Sequence, residues 1–148
     1  MSINPELAGR VYPAGEPYLV GREKIREFAA AVKANHPAHF DPAAAQELGY
    51  ADVVAPPTFA VIVAQRADAQ LIADPASGID FSRVVHADQR FTHHRPIVAG
   101  EALAAELHVD QVRAMGGGAM ITTRAEISTT SGERVATTVS SLLVRGED

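Results

Sequence analysis

The 148 residues carry 13 basic and 18 acidic side chains, a formal charge of −5, and no cysteine. The length suits one domain, residues 1–148, able to bury most of an apolar core. The charge balance excludes a broad basic field for nucleic acid, and the lack of cysteine excludes disulfides, zinc–thiolate sites and a thiol nucleophile.

Residues 1–9 lack the basic and then apolar order of a secretory leader, and no later apolar run is long enough to span a bilayer. A cytoplasmic protein with no membrane partner is the expectation. From Arg22 to Lys33, Ile25, Phe28, Ala29 and Val32 recur at helical spacing, which predicts a surface helix with one buried stripe. Asp41 followed by Pro42 is a helix start, and Gly49 after Leu48 a stop, so a short second helix fits between them. Pro56 and Pro57 open the most apolar run of the chain, Thr58 to Ala73, closed by Asp74-Pro75; proline is tolerated at a helix start and forbids continuation at the end. One long, buried helix is predicted there.

Four strands are predicted after Ser77-Gly78: Arg83 to His94, Ala102 to Val112, Ala119 to Ser128 and Arg134 to Val144. Alternation in Leu103, Ala105, Leu107, Val109 and in Val135, Thr137, Val139, Ser141, Leu143 fits half-buried antiparallel strands. Gly116 to Gly118 and Ser131-Gly132 read as hairpin turns, making the back half a meander. Helices followed by strands give an α+β fold, an antiparallel sheet curled around one long central helix. Its free edges predict pairing with a second copy or a paralogue.

Three stretches in order carry a resemblance: VGREKIREFA from Val20 to Ala29, GYADVVAPPTF from Gly49 to Phe59, and HADQRFTHHRPIVAGE from His86 to Glu101. Together they resemble the N-terminal region of MaoC-like dehydratases, a branch of the hot-dog superfamily. The chain is similar in particular to small actinobacterial-type subunits that pair with a second hot-dog protein as a (3R)-hydroxyacyl dehydratase. The resemblance implies a hot-dog fold, an acyl-CoA or acyl-ACP thioester as substrate, a hot-dog partner in a heterodimer or homodimer, and no cofactor or metal.

Self-sufficient members carry an Asp-x-Asn-Pro-x-His signature just after the first helix. Laid over Ala34-Asn-His-Pro-Ala-His39, it matches Pro37 and His39; Ala34 takes the aspartate position and His36 the asparagine position. Water addition to an enoyl thioester needs two tuned groups, so His39, the candidate catalytic residue, could serve at best half of the reaction. The resemblance then implies a partner that supplies the intact pair while this chain shapes the acyl channel. A self-sufficient homodimeric hydratase using His39 with an acid such as Asp41, and an acyl thioester binding module without turnover, are the alternatives.

The family's remaining machinery is the start of the buried helix, where free N–H groups polarise a thioester carbonyl. That makes Pro57, Thr58 and Phe59 candidate substrate-binding residues, with Thr58 and Phe59 as the first N–H donors after the prolines. His86 and Gln89 are candidates for the channel mouth, with ordinary sheet polarity as the equal reading. For His39 the plain alternative is packing or capping of the loop before Asp41. His36 and His39 lack a third metal ligand. His93 and His94, adjacent on a strand, point to opposite faces. Arg95 near Gly100-Glu101 could hold a phosphate, but a turn between strands is the favoured use.

Overall fold

The computed structural model describes residues 3–146; Met1 and Ser2, part of the stretch read above for a leader, lie outside the described residues. In chain order the elements are β1 (Val11–Tyr12), β2 (Tyr18–Leu19), α1 (Arg22–Ala31), α2 (Pro42–Glu47), α3 (Ala60–Ala73), β3 (Val84–His93), β4 (Ala102–Met115), β5 (Gly118–Thr129) and β6 (Arg134–Val144). Short 3₁₀ turns stand at Pro5–Leu7, Pro37–His39, Pro75–Ser77 and Phe81–Arg83. No helix among the described residues is long and apolar enough to cross a membrane.

The expected architecture is present: one antiparallel sheet wraps the long helix α3, whose Ala60, Val63, Ala64, Ala67 and Leu71 are buried. Alanines let the helix sit close on the sheet, where Leu103, Leu107, Val109, Ile121, Ala125, Ile127 and Leu142 complete the core. Phe59 is fully buried at the start of α3, with its ring 5.4 Å from Phe28 edge-on and 6.3 Å from Tyr18. These three rings fasten α1 and β2 over the helix.

The strand order is β1-β4-β5-β6-β3, with β2 also on β4. The meander expectation therefore holds for β4, β5 and β6 but not for β3, which pairs with β6 instead of with the strand that follows it in the chain. Between them the chain makes an outlying contact in which Ala55 N–H donates to Ile97 O at 2.8 Å and Ala99 N–H to Val53 O at 3.0 Å. That detour carries Arg95–Glu101 past the start of α3. The two-residue strands β1 and β2 escape any pattern reading, and they cover the outer edge of β4. The outer edge of β3 has no partner strand among the described residues.

Two helix boundaries shift from the expectation. The first helix ends at Ala31, because Lys33 adopts φ +60° and Ala34 N–H reaches back to Ala29 O at 2.8 Å, a left-handed termination in which lysine stands where glycine is usual. The central helix begins at Ala60 instead of Thr58, since Pro56–Phe59 form a turn closed by Phe59 N–H to Pro56 O at 3.0 Å. Asp41 caps α2 through Ala43 N–H at 2.9 Å as expected. Met115 pairs with Gly118 across a two-residue turn with Gly116 at φ +49° and Gly117 at φ +91°, which only glycine adopts cheaply.

Candidate functional site

His39 closes the turn Pro37–His39 and is half-buried. Its Nδ1 lies 2.5 Å from Val54 O, and a carbonyl can only accept, so Nδ1 is the donor and in the neutral imidazole the lone pair is on Nε2. Val54 N–H answers with a 2.9 Å bond to Ala38 O, which locks the imidazole to the segment leading into α3. Arg26 of α1 donates to Phe40 O at 2.9 Å and holds the loop from the other side.

Three residues beyond Val54, Pro57 O accepts a 2.7 Å bond from His93 Nε2 at the end of β3. His39 and His93 are thus both tied to the stretch 54–57, which joins His39, Pro57 and Thr58 into one neighbourhood at the head of α3. His93 was read in the sequence only as one of two opposed neighbours. Thr58 is exposed, while the Phe59 ring is in the core and its N–H is spent within the turn. Thr58 therefore keeps the more accessible amide of the two.

His86 and Gln89 stand elsewhere. His86 is separated from His93 by seven residues of extended chain, roughly 20 Å. They form their own pair, His86 Nε2 to Gln89 Oε1 at 2.9 Å, next to Ser140, whose hydroxyl donates to Gln89 Oε1 at 2.8 Å. The sequence candidates thus fall into two groups, one at each end of β3.

The profile described as FAS1-like, dehydratase domain region, matches residues 6–138. The chain belongs to that family. A relative called UPF0336 protein from Clavibacter michiganensis is 56% identical over 148 residues, covering 100% of this chain and 99% of that one. A chain of the C-terminally truncated HadBC (3R-hydroxyacyl-ACP dehydratase) complex from Mycobacterium tuberculosis superposes with TM-score 0.83 at 36% identity, covering 93% of this chain and 96% of that one. A MaoC-like dehydratase superposes with TM-score 0.85 at 38% identity; the match takes in 95% of this chain and 43% of that chain. The fold is the hot-dog fold of MaoC-like dehydratases, as the resemblance implied.

In the signature described above, the acid falls at the position of Ala34. Three carboxylates on the elements around His39 are engaged elsewhere. Glu27 pairs with Lys24 at 3.0 Å, Asp41 caps α2, and Asp52 takes Arg22 at 2.8 Å. The Arg22 guanidinium and Val53 N–H hold the Asp52 carboxyl below the usual range, fixing it as an anion. Asp41, the acid named for a self-sufficient site, has an oxygen committed to Ala43 N–H and is exposed to solvent.

His36 has a structural task that explains its place in the altered signature. Its Nδ1 accepts from Ala38 N–H at 3.0 Å, capping the Pro37–His39 turn as an asparagine side chain would. Its ring lies edge-on to His39, 6.2 Å between centroids. His36→Ala is expected to cost about 1 kcal/mol, the worth of a lost cap, and His36→Asn close to nothing, measured as shifts of the urea midpoint.

Arg95 is closed to phosphate. Glu101 and Glu133 both pair with it, the latter at 2.7 Å, and these carboxylates push the guanidinium further up in basicity. Glu101 also accepts Val98 N–H at 2.6 Å, so the residue braces the turn before β4. Two hollows flank the sheet. One of ≈ 180 Å³ lies against α3 at Tyr18, Arg66 and Gln70, and a groove of ≈ 990 Å³ runs past Ile79, Arg83, Val112 and Val144. Neither is lined by His39, Pro57 or Thr58.

Proposed function

We propose that this chain, as one hot-dog domain, is the supporting subunit of a (3R)-3-hydroxyacyl thioester dehydratase. A hot-dog partner carries the acid/base pair, and this chain contributes a wall of the channel for an acyl-CoA or acyl-ACP thioester. The observation that carries the reading is Ala34 at the place of the signature's acid, with Glu27, Asp41 and Asp52 each committed to another partner. An imidazole with a fixed tautomer can accept a proton at Nε2, but reversible hydration needs a second group to return one to the α-carbon. The chain's similarity to a member of the HadBC complex supports a partnered assembly of this kind. So does β3, ten residues long with its outer edge unpaired, since an exposed edge is a template for another strand.

The test uses the chain alone and the chain mixed with a hot-dog protein bearing the full signature. Hydration of a trans-2-enoyl thioester is expected in the mixture and not with the chain alone. In the mixture, His39→Ala should leave turnover within a few fold, whereas replacing the partner's signature histidine should remove about 10²–10⁴-fold, the usual worth of a general acid or base. Turnover by the isolated chain, or its loss on His39→Ala in the mixture, would reject the supporting role. Thioester binding without turnover in both settings would instead identify an acyl-binding module.

A further inference from the structure

Among the described residues only one long edge of the sheet is open. Strands β1 and β2 cover β4, whereas β3 runs for ten residues with no neighbour on its outer side. Bulges and charges usually keep such an edge from pairing. Strand β3 has both: its ladder with β6 shifts between His86 and Asp88, and Asp88 and Arg90 stand exposed just after the shift. These two charges are opposite in sign, so they repel some partner strands and match others.

From Asp88 to Arg90 the ladder is regular, opposite Ser141, Ser140 and Val139. Ser140 is buried, so Gln89 faces the central helix while Asp88 and Arg90 face outward. The two charged groups lie 3.7 Å apart, and neither has a second charged partner among the described residues. A second copy can join this edge antiparallel, with both sheets curled to the same side, only if opposed residues share a face. One residue then faces its own copy across the two-fold axis. With Asp88 at that position two carboxylates meet, and with Arg90 two guanidiniums meet; both arrangements repel. With Gln89 there, each Asp88 stands opposite Arg90 of the other copy, and four charges alternate around the axis.

We propose that the chain pairs with a second copy of itself along β3, with Gln89 on the two-fold axis and Asp88 of each copy opposite Arg90 of the other. Because a single long edge is open, the pairing closes as a dimer and does not grow into a filament. Phe81, in the turn before the strand, and Val85, within it, are 72% and 43% exposed and bring apolar surface to the same edge. The hot-dog companion of the proposed function would use this edge too, so self-pairing and that assembly exclude each other. The self-pairing itself does not depend on that reading.

The test is sedimentation equilibrium of the full chain alone, where wild type is expected to be a dimer. Asp88→Arg gathers only cations at the axis and Arg90→Asp only carboxylates. Each variant should dissociate about tenfold more readily, the effect of turning two opposed pairs from attraction to repulsion. Mixed in equal amounts, the two variants should pair with each other as tightly as wild type does with itself. A monomeric wild type overturns the proposal, and so does a dimer that neither substitution weakens or that mixing does not restore. The register is checked without charge through cysteine, which the chain lacks. Asp88→Cys mixed with Arg90→Cys should give a disulfide-linked dimer on mild oxidation, because directly opposed residues lie within disulfide range, whereas either variant alone should stay unlinked. Linkage in the single variants and none in the mixture would overturn the register. The linked dimer should not bind a hot-dog protein bearing the full signature until it is reduced, and binding before reduction would overturn the shared edge. No binding even after reduction would count against the proposed function and leave the self-pairing standing.

Discussion

Phe59→Ala is expected to lower stability by about 3–5 kcal/mol, the range for removing a fully buried aromatic ring. Against a total of roughly 5–15 kcal/mol for a domain, that is a large share. The reason lies in position as much as in size. Phe59 is fully buried, makes the edge-on contact with Phe28, and ends the turn that starts the central helix. Its loss leaves a void where α1, β2 and α3 meet, and the prolines on one side and the helix on the other restrict collapse into it. Thermal unfolding should shift down by about 10–15 °C for a chain of this length. Phe81 is 72% exposed, and its replacement by alanine should stay within about 0.5 kcal/mol. Equal effects at the two positions would contradict the described core.

The second large effect is a gain. Ala34→Asp together with His36→Asn restores the signature around a histidine whose tautomer is already set by Val54. Asparagine can take over the cap on Ala38 N–H, so the turn that presents His39 should survive. Position 34 is half-buried at the end of α1, which leaves a new carboxylate in contact with water and ionised. Enoyl thioester hydration by the isolated variant is expected to rise about 10²-fold over the isolated wild-type chain, the lower end of what one general acid or base supplies. Ala34→Asn with His36→Asn has the shape but not the charge, and should stay at the wild-type level. A folded double variant with no gain would show that the partner supplies more than the missing acid.

What the sequence disclosed depended on how locally each feature is determined. Asp41-Pro42 and Gly49 delimit α2 by capping chemistry contained in a few residues, and Gly116-Gly117 fix a turn by their backbone freedom alone. Strand β4 alternates as read, with Leu103, Ala105, Leu107 and Val109 buried. Strand β6 instead buries Ala136, Thr138, Ser140, Leu142 and Val144. That is the face opposite to Thr137, Val139, Ser141 and Leu143 of the alternation read in the sequence, because apolar and small polar residues stand on both its faces. Strands β1 and β2 are two residues long, and they exist because β4 offers an edge, which no window of sequence records. The pairing of β3 with β6 is likewise a tertiary choice. Pro56-Pro57 did announce the central helix, but the turn they form consumes two residues that helical spacing assigned to it.

The site was legible in part for a related reason. Ala34 in place of an acid, and His39 beside Pro37, can be read along the chain. The role of His36 as a cap and the grip of His93 on Pro57 depend on which atoms face each other across space. Asp68 had a signal that went unused: it is an acid directly beside Ala67 on the apolar stripe of Ala60, Ala64, Ala67 and Leu71. An acid set against such a stripe has to find a partner across the interface, and here the Thr123 hydroxyl of β5 supplies one.

The strand order also constrains how the chain is built during synthesis. β6 lies between β5 and β3, yet of all the elements it is the last to leave the ribosome. Strand β3 must wait, already made, until residues 134–144 arrive to join it to the β4–β5 hairpin, which a two-residue turn allows to form at once. During that interval both edges of β3 are open to other chains. Synthesis near a companion that can occupy those surfaces would shorten the exposure, so the timing of translation and assembly are joined through the position of a single strand.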